Sequence, residues 1–325
     1  MRSRKVVAVL MTSLLVLAGM GPARAQDAWP SKPLRLIVAA AAGSGTDVLA
    51  RLLVDRLSPV LKQPILIDNR PGANGIVATT ALLQAPADGY TLIYHPSSFV
   101  VIAPTLVQLP YDTVKDLEPI AQAASGSMML VVGAQTPVRN VKELVAYVKD
   151  RPGKLSFGSV GNGSMPFLLT ETMQQNTPME VNHVPYKASP QMLTDIIGGN
   201  LLFGWSDPTV VLPLIQANRL RGIAISGASR LAASPDIPTL KEQGYPIALE
   251  GWFGIFAKAG TPQPIIKRLS DDIRRIQETP EMAAELARRN LSMAPAKTPA
   301  EFHVLIEANL KMWAEVVRKG NVKAD

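Results

Sequence analysis

Two short loops carry most of the chemistry this sequence offers. Ala39-Ala40-Ala41-Ala42-Gly43-Ser44-Gly45-Thr46-Asp47 follows one β-rich run, and Gly158-Ser159-Val160-Gly161-Asn162-Gly163-Ser164 follows another. Glycine lets a backbone approach a ligand closely, and the N–H groups that open a helix point toward an anion. In an open parallel sheet, ligands sit outside the carboxyl ends of the strands, which is where both loops fall. Ordinary strand-to-helix turns use the same residue types, so spacing alone leaves that reading open. One such loop on each of two lobes would suit an anion held between them.

Other chemistries fit less well. Gly43-x-Gly45 has Val48 where a dinucleotide fingerprint needs its third glycine, and Asp47 adds negative charge to the first helical turn. Gly161-x-Gly163 runs into Pro166, and neither loop ends in the Gly-Lys-Ser/Thr of a phosphate loop. The three histidines, His95, His183 and His303, are far apart and lack metal-ligand spacing. There is no Gly-x-Ser-x-Gly elbow. Asp271-Asp272 reads as a solvated helix face and Asp68 as a turn residue. No cofactor and no metal are expected, and catalysis has no visible machinery.

The elements that would position these loops alternate in type. Leu34–Val38, Pro64–Asp68 and Tyr90–Tyr94 read as strands, separated by helices over Thr46–Leu61 and Ala73–Gln84. A second series follows Ser125-Gly126-Ser127. It has strands at Met128–Val132, Leu155–Gly158, Glu180–Val184, Leu201–Trp205 and Leu220–Ser226, with helices over Val141–Lys149, Ser164–Gln175 and Pro190–Ile197. Trp252–Ala257 is one more strand, and three helices, Pro264–Gln277, Pro280–Arg289 and Pro299–Lys319, end the chain. Repeated βαβ units imply parallel sheets with helices on both faces. The helical tail has no sheet of its own and should pack back on the first lobe. That predicts a discontinuous lobe of residues 26–125 plus 250–325, a second lobe of 126–249, and a hinge where the chain crosses near Ala124–Ser127 and Ala248–Gly251.

The first twenty-five residues read as an export signal. Arg2, Arg4 and Lys5 precede an uncharged run from Val6 to Leu17, and Ala23-Arg24-Ala25 gives a cleavage site before Gln26. The apolar run is too short to span a bilayer. The chain holds 33 basic and 26 acidic residues, a formal net charge of +7, and four of the bases lie in this leader. The remaining chain is only mildly basic and has no dense Lys/Arg run with interleaved aromatics, so nucleic-acid binding is not expected. With no cysteine among 325 residues, no disulfide, lipidated cysteine or thiol nucleophile is possible.

The ordered set of motifs along the chain resembles the extracytoplasmic solute receptors of tripartite tricarboxylate transporters, known as Bug proteins. Its markers are Trp29-Pro30-x-Lys32-Pro33, Thr46-Asp47, Asp68-Asn69-Arg70-Pro71-Gly72, Ala87-Asp88-Gly89-Tyr90-Thr91 and Leu109-Pro110-Tyr111-Asp112 with Asp116-Leu117. Further ones are Gly161-Asn162-Gly163, His183-Val184-Pro185-Tyr186-Lys187, Ser234-Pro235-Asp236-Ile237-Pro238 and Gly260-Thr261-Pro262. The resemblance implies an α/β type II periplasmic-binding-protein fold, two doubly wound lobes joined by a hinge, that closes on a small organic acid. It implies a first-lobe site of Ala40, Ala41, Ala42, Gly43 and Ser44 with Ser97 and Ser98. The second-lobe site would be Ser159, Gly161, Asn162, Gly163 and Ser164, with Asp207 near the next strand end.

The chain departs from the family where Ala40-Ala41-Ala42 replaces an aromatic-Pro-Pro run, and where Met165-Pro166-Phe167 follows the second loop. Met165 and Phe167, facing a cleft, would suit a more apolar ligand; Phe167 fits helix-core packing as well. Asp207 would receive an amine or hydroxyl, or cap a helix. The expected role is a monomeric periplasmic receptor that delivers its acid to the membrane subunits of such a transporter. A sensor presenting its closed form to a kinase is the alternative, and a periplasmic hydrolase or transferase a more distant one.

Overall fold

A computed structural model describes residues 29–322, apart from Asn162, Lys187, Ala188, Asn290, Ala294 and Pro295. The leader and its cleavage site at Ala25-Gln26 lie outside the described residues. Strand β1 (Leu34–Val38) is buried except at Arg35, the mark of a strand covered on both faces. Helix α1 (Gly45–Leu61) starts at Ser44, whose side chain accepts from the Asp47 N–H, and buries Leu49, Leu52, Leu53, Leu57 and Leu61 at helical spacing. Strands β2 (Ile65–Asn69) and β3 (Thr91–Pro96), linked by helix α2 (Ile76–Leu83), pair in parallel with β1 on either side.

Two sheets result. The first gains β4 (Leu117–Gly126), β10 (Gly251–Lys258) and β11 (Ser292–Met293), in the order β11-β4-β10-β3-β1-β2. The second contains β5 (Met129–Gly133), β6 (Ser156–Ser159), β7 (Asn182–Pro185), β8 (Phe203–Ser206) and β9 (Leu220–Ile225), in the order β7-β6-β8-β5-β9. Both are mixed, not wholly parallel as the βαβ pattern predicts. Strand β10 runs antiparallel to β3 and β4, and β5 antiparallel to β8 and β9. The reason is entry. Each of these two strands begins at the point where the chain crosses between sheets: Gly251 pairs with Gly126, and Met129 with Ser206 and Ile225. They therefore leave the crossing as their neighbours arrive at it.

Helices α4 (Val141–Lys149), α5 (Met165–Asn176), α6 (Ser189–Gly198) and α7 (Pro208–Gln216) connect the second sheet. Of the closing helices, α8 (Gln263–Gln277) packs on α1 and β4, and α9 (Pro280–Ala287) on α8. The last, α10 (Pro299–Lys319), opens with a capping box between Thr298 and Glu301 and lies against β4. It also touches α5 beside the second sheet, where the Gln175 side chain donates to the Val316 carbonyl at 3.0 Å. A continuous apolar cluster runs from Ile37 and Ile93 through Val100 and Phe256 to Leu130 and Trp205, so the two sheets share packing. Among the described residues, no helix is long and apolar enough to cross a membrane.

Candidate functional site

Two cavities open between the facing ends of the sheets, and Ser98, Ile102 and Met165 belong to the walls of both. The inner one, about 190 Å³, is bounded by Ser97, Ser127, Asp207, Trp252 and Phe253 among others. The outer one, about 500 Å³, is walled by Phe99, Leu106 and Val107 on one side and by Gly161, Gly163 and Ser164 on the other.

Local structure explains each wall. Strand β3 ends at Pro96, and the buried Ser97 hydroxyl accepts the Trp252 N–H at 3.2 Å, stitching this end to the start of β10. A π-helical turn (Ser98–Ile102) and the short helix α3 (Ala103–Leu106) follow. They bury Val100, Val101 and Ile102 in the core, with Ile102 also bordering both cavities, and set Leu106 on the outer cavity's wall. Opposite, Ser164 caps α5 by accepting the Phe167 N–H at 3.5 Å, and Pro166 has no N–H. The Met165 N–H is thus the first-turn donor with no helical carbonyl to meet. Gly163 sits at φ +73°, and a Cβ there would fall 2.0 Å from Leu106 Cδ1. Only glycine allows the loop to lie so close to the opposite wall.

Asp207 takes the helix-capping role weighed for it and also borders the inner cavity. One carboxylate oxygen caps α7 by accepting from the Thr209 N–H at 2.7 Å and the Thr209 hydroxyl at 2.5 Å, while the side chain lines the inner cavity. Met165 lines both cavities. Phe167 does not: it is buried against Phe157 and meets the His183 ring edge-on at 4.7 Å.

The first glycine loop is placed differently. Ala40, Ala41, Ala42, Gly43 and Ser44 line neither cavity. Their polar groups are drawn toward Asp47, which accepts from the Gly43 N–H at 2.8 Å, Arg51 Nε at 2.9 Å and Asn69 Nδ2 at 2.9 Å. Asn69 also donates to the Ala40 carbonyl at 3.0 Å. Burial alone would push the Asp47 carboxyl up, but Arg51, Gly43 and Asn69 together hold it down at about 2, below the ordinary 3.8. A carboxyl depressed on folding stabilises above the unfolded value and loses that contribution as pH falls through the folded one. Stability should therefore drop by about 1–2 kcal/mol between roughly pH 4 and pH 2, the figure being reduced because Arg51 is half-exposed. Acid unfolding of Asp47→Asn should lack this component; an identical acid limb in the variant would refute the assignment.

The structure thus brings Ser97, Ser98, Gly161, Gly163, Ser164 and Asp207 to the cavities and leaves Ala40–Ser44 beside them, while Asn162 lies outside the described residues. Ser159 is fully buried behind the second loop. Its hydroxyl is 2.6 Å from His183 Nε2 and donates to the Gly161 carbonyl at 3.0 Å, so it braces the loop. The pair lines neither cavity. His95 is buried against Thr79 at 2.9 Å, and burial pushes it down to about 3, so it is neutral. His303 lies on the outer face of α10, 3.7 Å from Glu307. Among the described residues, no group of three or more His, Asp or Glu is placed to hold a metal ion.

Sequence reasoning overlooked much of the apolar wall: Ile102, Leu106, Val107, Trp252 and Phe253. One signal was available. Phe99-Val100-Val101-Ile102-Ala103 is an unbroken apolar run at the carboxyl end of β3, the same sheet end that carries the glycine loop.

The family model described as Tripartite tricarboxylate transporter family receptor matches residues 49–322. A UPF0065 protein of Bordetella bronchiseptica is 36% identical over 314 residues, 93% of each chain. A Rhodopseudomonas palustris protein solved with adipate is 30% identical, with a TM-score of 0.77 over 91% of this chain and 99% of that one. The periplasmic binding protein BugD is 26% identical, with a TM-score of 0.73 over 91% of this chain and all of that one. The architecture is that of the periplasmic binding proteins.

Proposed function

The chain belongs to the tripartite tricarboxylate transporter receptor family, and from that premise we propose that it captures a small organic carboxylate in the periplasm and delivers it to the membrane subunits of such a transporter. The observation that carries this reading is the pair of adjoining cavities at the crossing, walled on one side by Ser97 and Ser98 and on the other by Gly161, Gly163 and Ser164. Hydroxyls and N–H groups from the two sides can close on one anion without a basic side chain. The lobes are residues 26–125 with 250–325, and 126–249. Their hinge is the paired crossing at Gly126 and Gly251, where Ser127 Oγ donates to Glu250 at 3.3 Å.

A ligand that touches both lobes adds contacts only in the closed form, so its binding shifts the population toward that form. Receptors of this family bind solutes and do not transform them, which sets the hydrolase and transferase readings aside. The relative solved with adipate supports an organic acid as the guest. A thermal-shift screen of mono-, di- and tricarboxylates, amino acids and aromatic acids on the chain from Gln26 onward tests the proposal. At least one acid should raise the melting temperature and bind with one-to-one stoichiometry in calorimetry. Silence across all five classes would refute it.

A further inference from the structure

We infer that this cleft selects a monocarboxylate with an apolar body and a hydrogen-bond donor at its far end, and that Asp207 rejects di- and tricarboxylates. The inference rests on the receptor reading above and narrows it.

The walls supply the argument. Ile102 and Met165 line both cavities, Leu106 and Phe99 the outer one, and Trp252 and Phe253 the inner one. Such a surface favours a hydrocarbon body, because a polar group placed against it loses water without regaining a hydrogen bond. Asp207 is the one charged side chain among the described wall residues. An ionised carboxylate accepts hydrogen bonds and donates none. The Thr209 N–H and hydroxyl both go to Oδ1, which leaves Oδ2 as the acceptor for a ligand. An amine or hydroxyl at that end of the guest would be bonded. Asp207 is exposed at the mouth of the inner cavity; closure on a ligand would bring a second carboxylate against this like charge while displacing water, a juxtaposition that is disfavoured. The donors that suit the guest's own carboxylate lie elsewhere on the walls: the Ser98 hydroxyl and the backbone opening α5 after Ser164.

The test uses straight-chain acids of four to eight carbons in three matched sets: ω-amino acids, ω-hydroxy acids and α,ω-diacids such as adipate. Calorimetry on the chain from Gln26 onward should find the best amino or hydroxy acid at least about tenfold tighter than the diacid of equal length. Asp207→Asn keeps an Oδ1 acceptor to cap α7 and removes the charge. It should bring the two within about threefold, by raising diacid affinity. Asp207→Ser, which also caps helices, stands in if the asparagine variant is unstable. A diacid binding as tightly as its partners in the unmodified protein would overturn the inference, as would a ratio unchanged by both substitutions. Those results leave the receptor reading standing. Failure of every acid to bind would sink that reading and this one with it.

Discussion

Replacing Gly163 with valine is expected to cost ligand affinity and fold stability together, with binding weakened at least about a hundredfold, near 2.7 kcal/mol. Two causes act at one atom. The backbone is held at φ +73°, a left-handed conformation that a β-branched residue adopts only under strain of about 1–3 kcal/mol. The new Cβ would also land 2.0 Å from Leu106 Cδ1 on the opposite wall of the outer cavity, so one wall must retreat. The sequence alone predicts that a bulky residue here blocks the loop amides and leaves the fold untouched. The strain at φ +73° is why stability falls as well, and displacement of the Leu106 side chain adds to it. Gly163→Ala, alone and combined with Leu106→Ala, separates the causes. If the contact persists in the bound state, the double variant should recover about 1 kcal/mol of the affinity lost by the alanine at 163, since touching residues couple. Strict additivity would mean that the loop and Leu106 part when ligand binds. Unchanged affinity in Gly163→Val would remove the second loop from the site altogether.

How much of this was legible depended on the kind of signal. Helix α10 could be bounded at both ends from sequence because Thr298, Pro299 and Glu301 announce its start and Gly320 its stop. Strand β1 was equally clear, being a short β-rich run next to a glycine turn. Strand β4 gave no such signal. Leu117–Gly126 reads LEPIAQAASG, rich in alanine with a proline inside and isoleucine its one β-branched residue, a composition with little strand propensity. It is a strand because β10 and β11 pair with it and α8 and α10 cover it, contacts made by residues more than a hundred positions away. The reversed direction of β5 and β10 was hidden for a different reason. Hydrophobic periodicity carries no sense of direction, and only the place where the chain crosses between sheets sets it.

The site was half legible on similar grounds. Glycine loops after strands are visible, and Gly161, Gly163 and Ser164 do reach the cavities. Ala40–Ser44 follows the same rule, yet Asp47 gathers its polar groups, with Arg51 and Asn69 completing the arrangement. Which loop faces a cavity depends on where a buried side chain pulls the backbone, and spacing does not record that. The apolar wall was harder still, because cavity-lining Ile102 and core-forming Val100 and Val101 are neighbours in one run. All three are buried in the same core cluster, and Ile102 alone also borders the cavities, so nothing in its type sets it apart.

Trp252→Ala should produce the largest loss of stability among the residues that line the inner cavity, about 3–5 kcal/mol, lowering the melting temperature by roughly 10 °C. The side chain is buried, meets the Phe302 ring edge-on at 5.1 Å and donates through Nε1 to Asn309 Oδ1 at 2.9 Å. Its removal opens a void between β10 and α10 and leaves the Asn309 oxygen without that donor. Its backbone N–H, which the alanine variant keeps, holds Ser97 just after β3, one residue from the paired crossing at Gly126 and Gly251. Ligand affinity should fall too, since the indole itself forms part of the inner cavity wall. Trp252→Phe keeps the ring contact and loses the Nε1 bond, and should cost only about 1 kcal/mol. The apolar cluster containing Trp252 reaches Leu130 and Trp205 in the second sheet, so weakening it should lower the melting of both lobes. Tryptophan fluorescence, reported for the second lobe by Trp205, and far-ultraviolet dichroism should shift by the same amount in the alanine variant. A melting temperature within two degrees of the parent's, on the scale of roughly 2–4 °C per kcal/mol, would show that this ring is not what joins cavity, hinge and core.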